Sequence, residues 1–202
     1  SLGSAETTLL KLTSAYSSFV NGGKLIKPIM IDRIQDSEGN TVLNNEKRKC
    51  INCDQLSFLN KNFPKIEDNF PQIFSAQTAY QMTSILEGVI QNGTGKKLKD
   101  LNLVLAGKTG TTNKNNDTWF IGFTSKMVVG VYVGLDNPKP LGKYETGAKT
   151  ALPIFKNFVK KAINKDEARP FKVADNILMT VIDPITGKKS ATKSKKTIIE
   201  AY

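Results

Sequence analysis

A lysine, several hydroxyls and two glycines meet in Ala106-Gly107-Lys108-Thr109-Gly110-Thr111-Thr112, at the end of an apolar run. Side chains alternate along an extended strand, so Lys108 and Gly110 face one way and Thr109 and Thr111 the other. Gly107 and Gly110 leave room for another backbone or a ligand to approach closely. A strand edge with free N–H groups, hydroxyls and an ammonium suits an anionic, peptide-like ligand that adds itself as a strand. A P-loop is excluded, because GxxxxGK[ST] needs a glycine where Asn102 stands and a lysine that opens a helix, whereas Lys108 ends a strand. Taken alone, the string also reads as a plain polar strand end.

Two other patterns carry reactive groups. Cys50-Ile-Asn-Cys53 is half of a zinc set, with no second cysteine pair to complete it, and thioredoxin-type redox chemistry would need a strand-to-helix setting. Ser190-Ala-Thr-Lys193 is the one Ser-x-x-Lys in the chain, and it lies in a basic tail after Lys108. There is no histidine. That removes Ser-His-Asp and Cys-His nucleophile pairs, HExxH metal helices and His-ligated zinc, and leaves Lys, Asp, Glu or Tyr as the available bases.

The elements that must position these groups follow from periodicity. Thr8 caps a helix over residues 8–20, with Leu9, Leu12, Tyr16, Phe19 and Val20 on one face and Asn21-Gly22-Gly23 as its stop. Residues 26–35 alternate as a strand, and Asp36-Ser-Glu-Gly39-Asn40 turns the chain back through Val42-Leu43 into a half-exposed hairpin. The polar, proline-punctuated stretch 44–71 reads as an insertion or long loop. Ser75 opens the strongest helix, faced by Ala79, Met82, Leu86, Val89 and Ile90 and closed by Asn92-Gly93, before the break Gly93-Thr94-Gly95.

Strands over 104–111, 118–124 and 127–135 then follow with short connections, which predicts an antiparallel meander. A helix over 149–163 presents Leu152, Phe155, Phe158, Val159 and Ala162 and should pack across that sheet. A last hairpin pairs 177–182 with 188–196 around Asp183-Pro184-Ile-Thr-Gly187, and the basic tail beyond is expected to be loose.

The 202 residues carry 29 Lys plus Arg against 18 Asp plus Glu, a formal charge of +11, with 39% hydrophobic residues, enough for a core. The excess is spread along the chain, and 26 of the basic residues are lysine against 3 arginines, the poorer choice for reading phosphates or bases. Nucleic-acid binding is therefore not called for. No apolar stretch approaches a transmembrane helix, and no signal peptide is visible. The start, Ser1-Leu2-Gly3-Ser4, lacks an initiator methionine, so the chain is expected to be a piece of a longer one.

Several ordered segments resemble the transpeptidase domain of class A penicillin-binding proteins. They are Ser75-Ala-Gln-Thr-Ala-Tyr-Gln-Met through Gln91-Asn-Gly-Thr-Gly95, then Leu105-Ala-Gly-Lys-Thr-Gly-Thr-Thr-Asn113, Asp117-Thr-Trp-Phe-Ile-Gly-Phe123 and Val131-Tyr-Val-Gly-Leu-Asp136. Ser4-Ala-Glu-Thr-Thr-Leu and Phe19-Val-Asn-Gly-Gly23 also resemble that family's opening segment, with Leu9 where the family usually has proline, as do Ala151-Leu-Pro-Ile-Phe155 and Ile182-Asp-Pro-Ile-Thr-Gly187.

The resemblance implies fold class α/β, of the α+β kind: a central antiparallel sheet flanked by helices, the penicillin-recognising serine-transpeptidase fold, incomplete in this chain. Residues 1–168 would be the C-terminal portion of that domain and 169–202 a hairpin and basic tail. The implied activity is D,D-transpeptidation of D-Ala-D-Ala stem peptides through a serine acyl-enzyme, with β-lactams as inhibitors and no cofactor. Lys108 would organise the proton network and attract the substrate carboxylate, Thr109, Gly110, Thr111 and Thr112 would line the substrate strand, and the Thr111 N–H would be one arm of the oxyanion hole. Asp117 and Trp119 read as supports.

The family's Ser-x-x-Lys and Ser-x-Asn lie upstream of its segment matching Ser4 to Gly23. Neither stands there in this chain, and Ser190 is in the wrong place. The nucleophile is therefore expected outside the chain, which alone should be inactive. The resemblance also implies the periplasmic face of the cytoplasmic membrane, with an anchor outside this chain, and there a Cys50–Cys53 disulfide is favoured over thiols. A non-catalytic module holding peptidoglycan or an envelope partner and a serine β-lactamase fragment are the competing readings.

Overall fold

The computed structural model describes residues 6–46, 48–53, 63–67, 69–164, 169–191 and 197–202. In chain order its elements are α1 (Leu9–Val20), β1 (Arg33–Gln35), β2 (Thr41–Asn44), β3 (Lys49–Ile51), β4 (Lys65–Glu67), α2 (Ala76–Gln91), β5 (Ala106–Thr111), β6 (Thr118–Phe123), β7 (Val128–Val133), α3 (Ala151–Ala162), β8 (Met179–Ile182) and β9 (Ile198–Ala201). They fall into two units, one formed by Ser1–Leu25 with Gln72–Tyr202 and the other by Ile26–Pro71.

In the larger unit, both predicted helix caps form. Thr8 Oγ1 accepts from the Lys11 N–H at 3.2 Å and Ser75 Oγ from the Thr78 N–H at 3.0 Å, each satisfying a donor that the first turn leaves without a partner. The α1 stop is Asn21, whose N–H donates to Ser17 O, followed by Gly22 and Gly23 at φ of 67° and 88°, a conformation glycine adopts without steric cost.

β5, β6 and β7 form the expected antiparallel meander, in that order. Its two faces bury different clusters. Phe120 faces α3 and packs with Leu152, Phe155 and Val159, with Ile90 of α2, and with Leu98 and Leu101 of the 3₁₀ stretch Lys96–Leu101. Ala106 and Phe123 face the other way, with Leu86 of α2 and with Tyr16, Phe19 and Val20 of α1 packed around them. Each fully buried phenylalanine here contributes roughly 1.5–3 kcal/mol by leaving water. Gly122 is what lets Phe155 close on the sheet: a Cβ there would lie 2.6 Å from the Phe155 ring.

Helix α3 buries Leu152, Phe155 and Val159 of the predicted face and corrects Phe158 and Ala162. Its buried residues are Ala151, Leu152, Phe155 and Val159, whereas Phe158 is 49% exposed and Ala162 is exposed. Phe158 lies about 60° round the helix from Phe155, at the border of the buried side, and Ala162 is the last residue of the helix. Pro153 is tolerated because it sits in the first turn, where no N–H is needed.

The last hairpin turns where expected: Gly187 N donates to Asp183 O, Asp183 N to Lys188 O and Ser190 N to Val181 O, and Lys189 bridges Ile182. Residues 192–196 of the predicted partner stretch lie outside the described residues. The strand that pairs with β8 along its length is β9, an unexpected partner, with Met179 opposite Ala201 and Ile182 opposite Ile198. β9 takes the other edge of β8: Leu178 N donates to Tyr202 O and Tyr202 N to Leu178 O, a register that leaves Val181 O and Asp183 N to the turn, and Gln81 of α2 donates to Ala201 O at 3.4 Å. Phe171 joins the cluster of Phe123 and Leu86, so the chain after Arg169 packs into this unit.

The unit Ile26–Pro71 holds two small hairpins. β1 and β2 pair around the Asp36 turn, where the carboxylate accepts from Asn40 N at 2.8 Å and Glu38 N at 3.0 Å. Hydrogen bonds from Asn40, side chain first, hold that carboxyl below its ordinary pKa. The strand starts at Arg33 and not at 26, because β2 ends opposite it, and Ile29, Met30 and Ile31 stay exposed. Inside the stretch read as insertion or loop, β3 and β4 pair with Cys50 opposite Ile66.

Candidate functional site

β5 carries the lysine, threonines and glycines along one end of the sheet. Among the described residues it pairs with β6 alone. Lys108 lies opposite Ile121, Thr109 opposite Phe120, Gly110 opposite Trp119 and Thr111 opposite Thr118. Cross-strand partners share a face. Thr109 and Thr111 therefore stand on the α3 face with Phe120, and Lys108 and Gly110 on the face of Trp119 and Ile121, the alternation expected from spacing.

Each of these groups has a neighbour that the linear sequence does not show. The Lys108 ammonium is exposed and donates to Thr109 O at 2.9 Å. The Thr109 hydroxyl lies 3.0 Å from the Thr94 hydroxyl. Thr94 belongs to the Gly93-Thr94-Gly95 break after α2, where Gly93 N and Gly95 N both donate to Val89 O, at 3.0 and 3.1 Å. The flanking glycines were the available signal for this residue. Thr111 Oγ1 accepts from the Gly147 N–H at 3.1 Å, leaving its own hydroxyl hydrogen to donate.

Gly147 comes from the loop before α3 and rests on backbone. A Cβ there would lie 2.5 Å from Trp119 O and 2.6 Å from Gly110 O. The same loop is tied to the turn after β5. Asn115 Nδ2 donates to Gly142 O at 3.2 Å and Lys143 O at 3.1 Å, and Leu141 N donates to Asn115 O at 3.0 Å. Below it, the buried Thr118 hydroxyl is satisfied by Thr150 Oγ1 at 2.6 Å.

On the opposite face, Thr112 and Asp117 close the β5–β6 turn. Thr112 N donates to Asp117 O at 3.0 Å and Asp117 N to Thr112 Oγ1 at 2.8 Å. The Tyr132 hydroxyl donates to Asp117 Oδ1 at 2.8 Å, and its ring lies tilted against Trp119 with centroids 4.7 Å apart. Hydrogen bonding to the Asp117 carboxylate is the main reason the phenol pKa is raised, so Tyr132 stays a donor. Trp119 in turn covers Gly110, where an added Cβ would lie 3.1 Å from the Trp119 Cβ.

The other sequence candidates lie elsewhere. Ser190 N donates to Val181 O beside β8, and Lys193 falls outside the described residues. Cys50 and Cys53 are joined by a disulfide at the end of β3, in the unit Ile26–Pro71. Chemically, the arrangement offers an edge strand with an ammonium on one face, hydroxyls on the other and a backbone held from both sides, a surface for an extended peptide bearing a carboxylate.

Comparison with known proteins agrees with this geometry. Residues 1–160 match the family described as penicillin binding protein transpeptidase domain. The whole chain is 43% identical to penicillin-binding protein 1A of Rickettsia prowazekii (strain Madrid E), of which it spans 25%. It is 34% identical, over 88% of its length, to penicillin-binding protein 1A of Neisseria lactamica, spanning 20% of that protein. The chain thus spans about a quarter or less of the curated relatives it matches.

The crystal structure of penicillin-binding protein 1A from Haemophilus influenzae superposes on 98% of the chain, and 32% of that protein, with a TM-score of 0.79 and 30% identity. Penicillin-binding protein A from M. tuberculosis, solved as an imipenem acyl-enzyme complex, shares the fold at 19% identity, with a TM-score of 0.54 over 78% of this chain and 31% of that one. Mixed helices on an antiparallel meander and a match over residues 1–160 lead to one assignment: the chain belongs to the penicillin-binding protein transpeptidase family.

Proposed function

We propose that this chain is the substrate-strand portion of a peptidoglycan D,D-transpeptidase, the part that receives a stem peptide ending in D-Ala-D-Ala, or a β-lactam in its place, while a serine elsewhere in the polypeptide forms the acyl-enzyme. The observation that carries this reading is the edge strand β5, with Lys108-Thr109-Gly110-Thr111 in a chain of the transpeptidase family and without a Ser-x-x-Lys before it.

In this reading the peptide pairs with the free edge of β5. Lys108 supplies positive charge and a hydrogen-bonding ammonium to the proton network of the incoming serine. The Thr109 and Thr111 hydroxyls hold the terminal carboxylate, Gly110 and Thr112 line the same strand, and the Thr111 N–H donates to the oxyanion that develops during acyl transfer. Ser190 has no role in the acyl transfer. The partners are the stem peptide, β-lactams and the remainder of the same polypeptide, and the place of work is the periplasmic face of the cytoplasmic membrane, in cell-wall synthesis and the maintenance of cell shape.

Covalent labelling by a fluorescent penicillin tests the proposal. The full-length protein that contains this segment should label, its Lys108→Ala variant should fold and not label, and the 202-residue chain alone should not label. Full labelling of a folded Lys108→Ala protein would remove the role given to that lysine, and labelling of the isolated chain would show that its nucleophile lies within it.

A further inference from the structure

The oxyanion role proposed for Thr111 requires its N–H to be held still, yet the backbone around it is not built to be rigid by itself. Gly110 precedes it, and the turn that follows contains Lys114 at φ 61° and Asn115 at φ 56°, adjacent non-glycine residues in the left-handed region. Such residues cost of the order of 1–3 kcal/mol each and persist only where the surroundings over-determine them. On the α3 face, the Gly147 loop supplies one restraint. On the other face, the contacts run in a closed circuit: Gly110 against Trp119, Trp119 against Tyr132, Tyr132 onto the Asp117 carboxylate, and Asp117 onto Thr112. Thr111 is the residue enclosed.

We infer that Asp117 and Tyr132 are positioning residues for acyl transfer, acting as a brace that fixes Thr111 and Thr112 without touching the substrate. The carboxylate has two jobs in it. Oδ1 accepts from the Tyr132 hydroxyl, and Oδ2 lies 3.4 Å from Thr112 Oγ1, which itself accepts from Asp117 N. Removing the phenol hydroxyl frees one end of the carboxylate and leaves the mouth of the turn to the bonds between Thr112 and the Asp117 backbone alone, while the ring of a phenylalanine still packs on Trp119. The loss should therefore appear in the geometry of the strand end and not in the fold of the sheet.

This inference rests on the transpeptidase reading, and the experiment separates the two. In the full-length protein, Tyr132→Phe, Asp117→Ala and the double variant are compared for fluorescent-penicillin acylation and for amide hydrogen exchange in the peptide covering Gly110 to Asp117. The acylation rate constant should fall roughly tenfold in each single variant, inside the hundredfold that a displacement of about 1 Å can cause. Exchange should quicken in that peptide and stay unchanged around Phe120. The double variant should be no slower than Asp117→Ala alone, since both substitutions break one circuit.

Normal acylation and exchange in Tyr132→Phe, or losses that multiply in the double variant, overturn the brace while leaving the transpeptidase reading intact. Wild-type protein that does not label overturns that reading and this role with it.

Discussion

Replacing Gly147 with alanine tests the packing that holds the strand end from the α3 face. The added methyl carbon would lie 2.5 Å from Trp119 O, 2.6 Å from Gly110 O and 3.2 Å from Gly110 N. All three are backbone atoms of paired strands, so none can swing aside as a flexible side chain could. The loop must therefore back away from β5 and β6. That movement strains or breaks the Gly147 N–H bond to Thr111 Oγ1 and the Leu152 N–H bond to Gly147 O, the second of which helps start α3. Overpacking of this kind costs about 1–3 kcal/mol and a lost hydrogen bond about another 1 kcal/mol, giving a destabilisation of roughly 2–4 kcal/mol. With a urea slope of about 2 kcal/mol per molar, the midpoint should fall by about 1–2 M, followed through Trp119, the one tryptophan of the chain. Gly88 is the counterpart: it lies inside α2 with nothing within 4 Å of an added Cβ, so Gly88→Ala should raise stability by about 0.5–1 kcal/mol. A Gly147→Ala midpoint equal to the wild type would refute the argument, as would an equal loss from Gly88→Ala.

Phe155→Ala should cost about 3–5 kcal/mol, since Phe155 is 1% exposed and packs on Phe120 at 4.7 Å, whereas Phe158→Ala, on the half-exposed side of α3, should cost under about 1 kcal/mol; urea midpoints of the two variants check the orientation of the helix. Glu87 is half-buried, and desolvation raises its carboxyl pKa. A raised acid favours the protonated folded state, so its ionisation subtracts stability as pH rises through the unfolded value and then the folded one. Glu87→Gln should accordingly be the more stable protein at neutral pH, with the advantage shrinking as pH falls below the ordinary carboxylate range; unfolding midpoints measured from acid to neutral pH give the comparison.

What could be read directly from the sequence was local. Thr8 and Ser75 lie three residues before the N–H groups they cap, so both helix starts were visible. The meander followed from apolar runs joined by turns too short for any other connection, and the alternation of Lys108 and Thr109 between faces followed from strand geometry alone. Other pairings left no local trace. β9 joins β8 on the edge away from the Asp183 turn, a contact that no neighbouring spacing announces, and strands as short as β3 and β4 have too few residues to show a period.

The partners of the site residues are a different matter. Thr94 meets Thr109 across 15 positions, Tyr132 meets Asp117 across 15, and Gly147 meets Thr111 across 36. No periodicity connects such residues, because their proximity is created by the sheet and by the loops it brings back over itself. The sequence does mark places of close approach, since a Cβ at Gly110 would meet the Trp119 side chain, one at Gly122 the Phe155 ring and one at Gly147 the backbone of Trp119 and Gly110. It does not say what they touch. A glycine announces a close approach, and only the assembled sheet shows that at Gly147 the approach is to the very strand whose lysine and threonines carry the proposed chemistry. For that reason the chemistry proposed for β5 could be framed from Lys108 to Thr112 alone, while the contacts on either side of it, the Gly147 loop on one face and the Tyr132–Asp117 hydrogen bond on the other, came only from the fold.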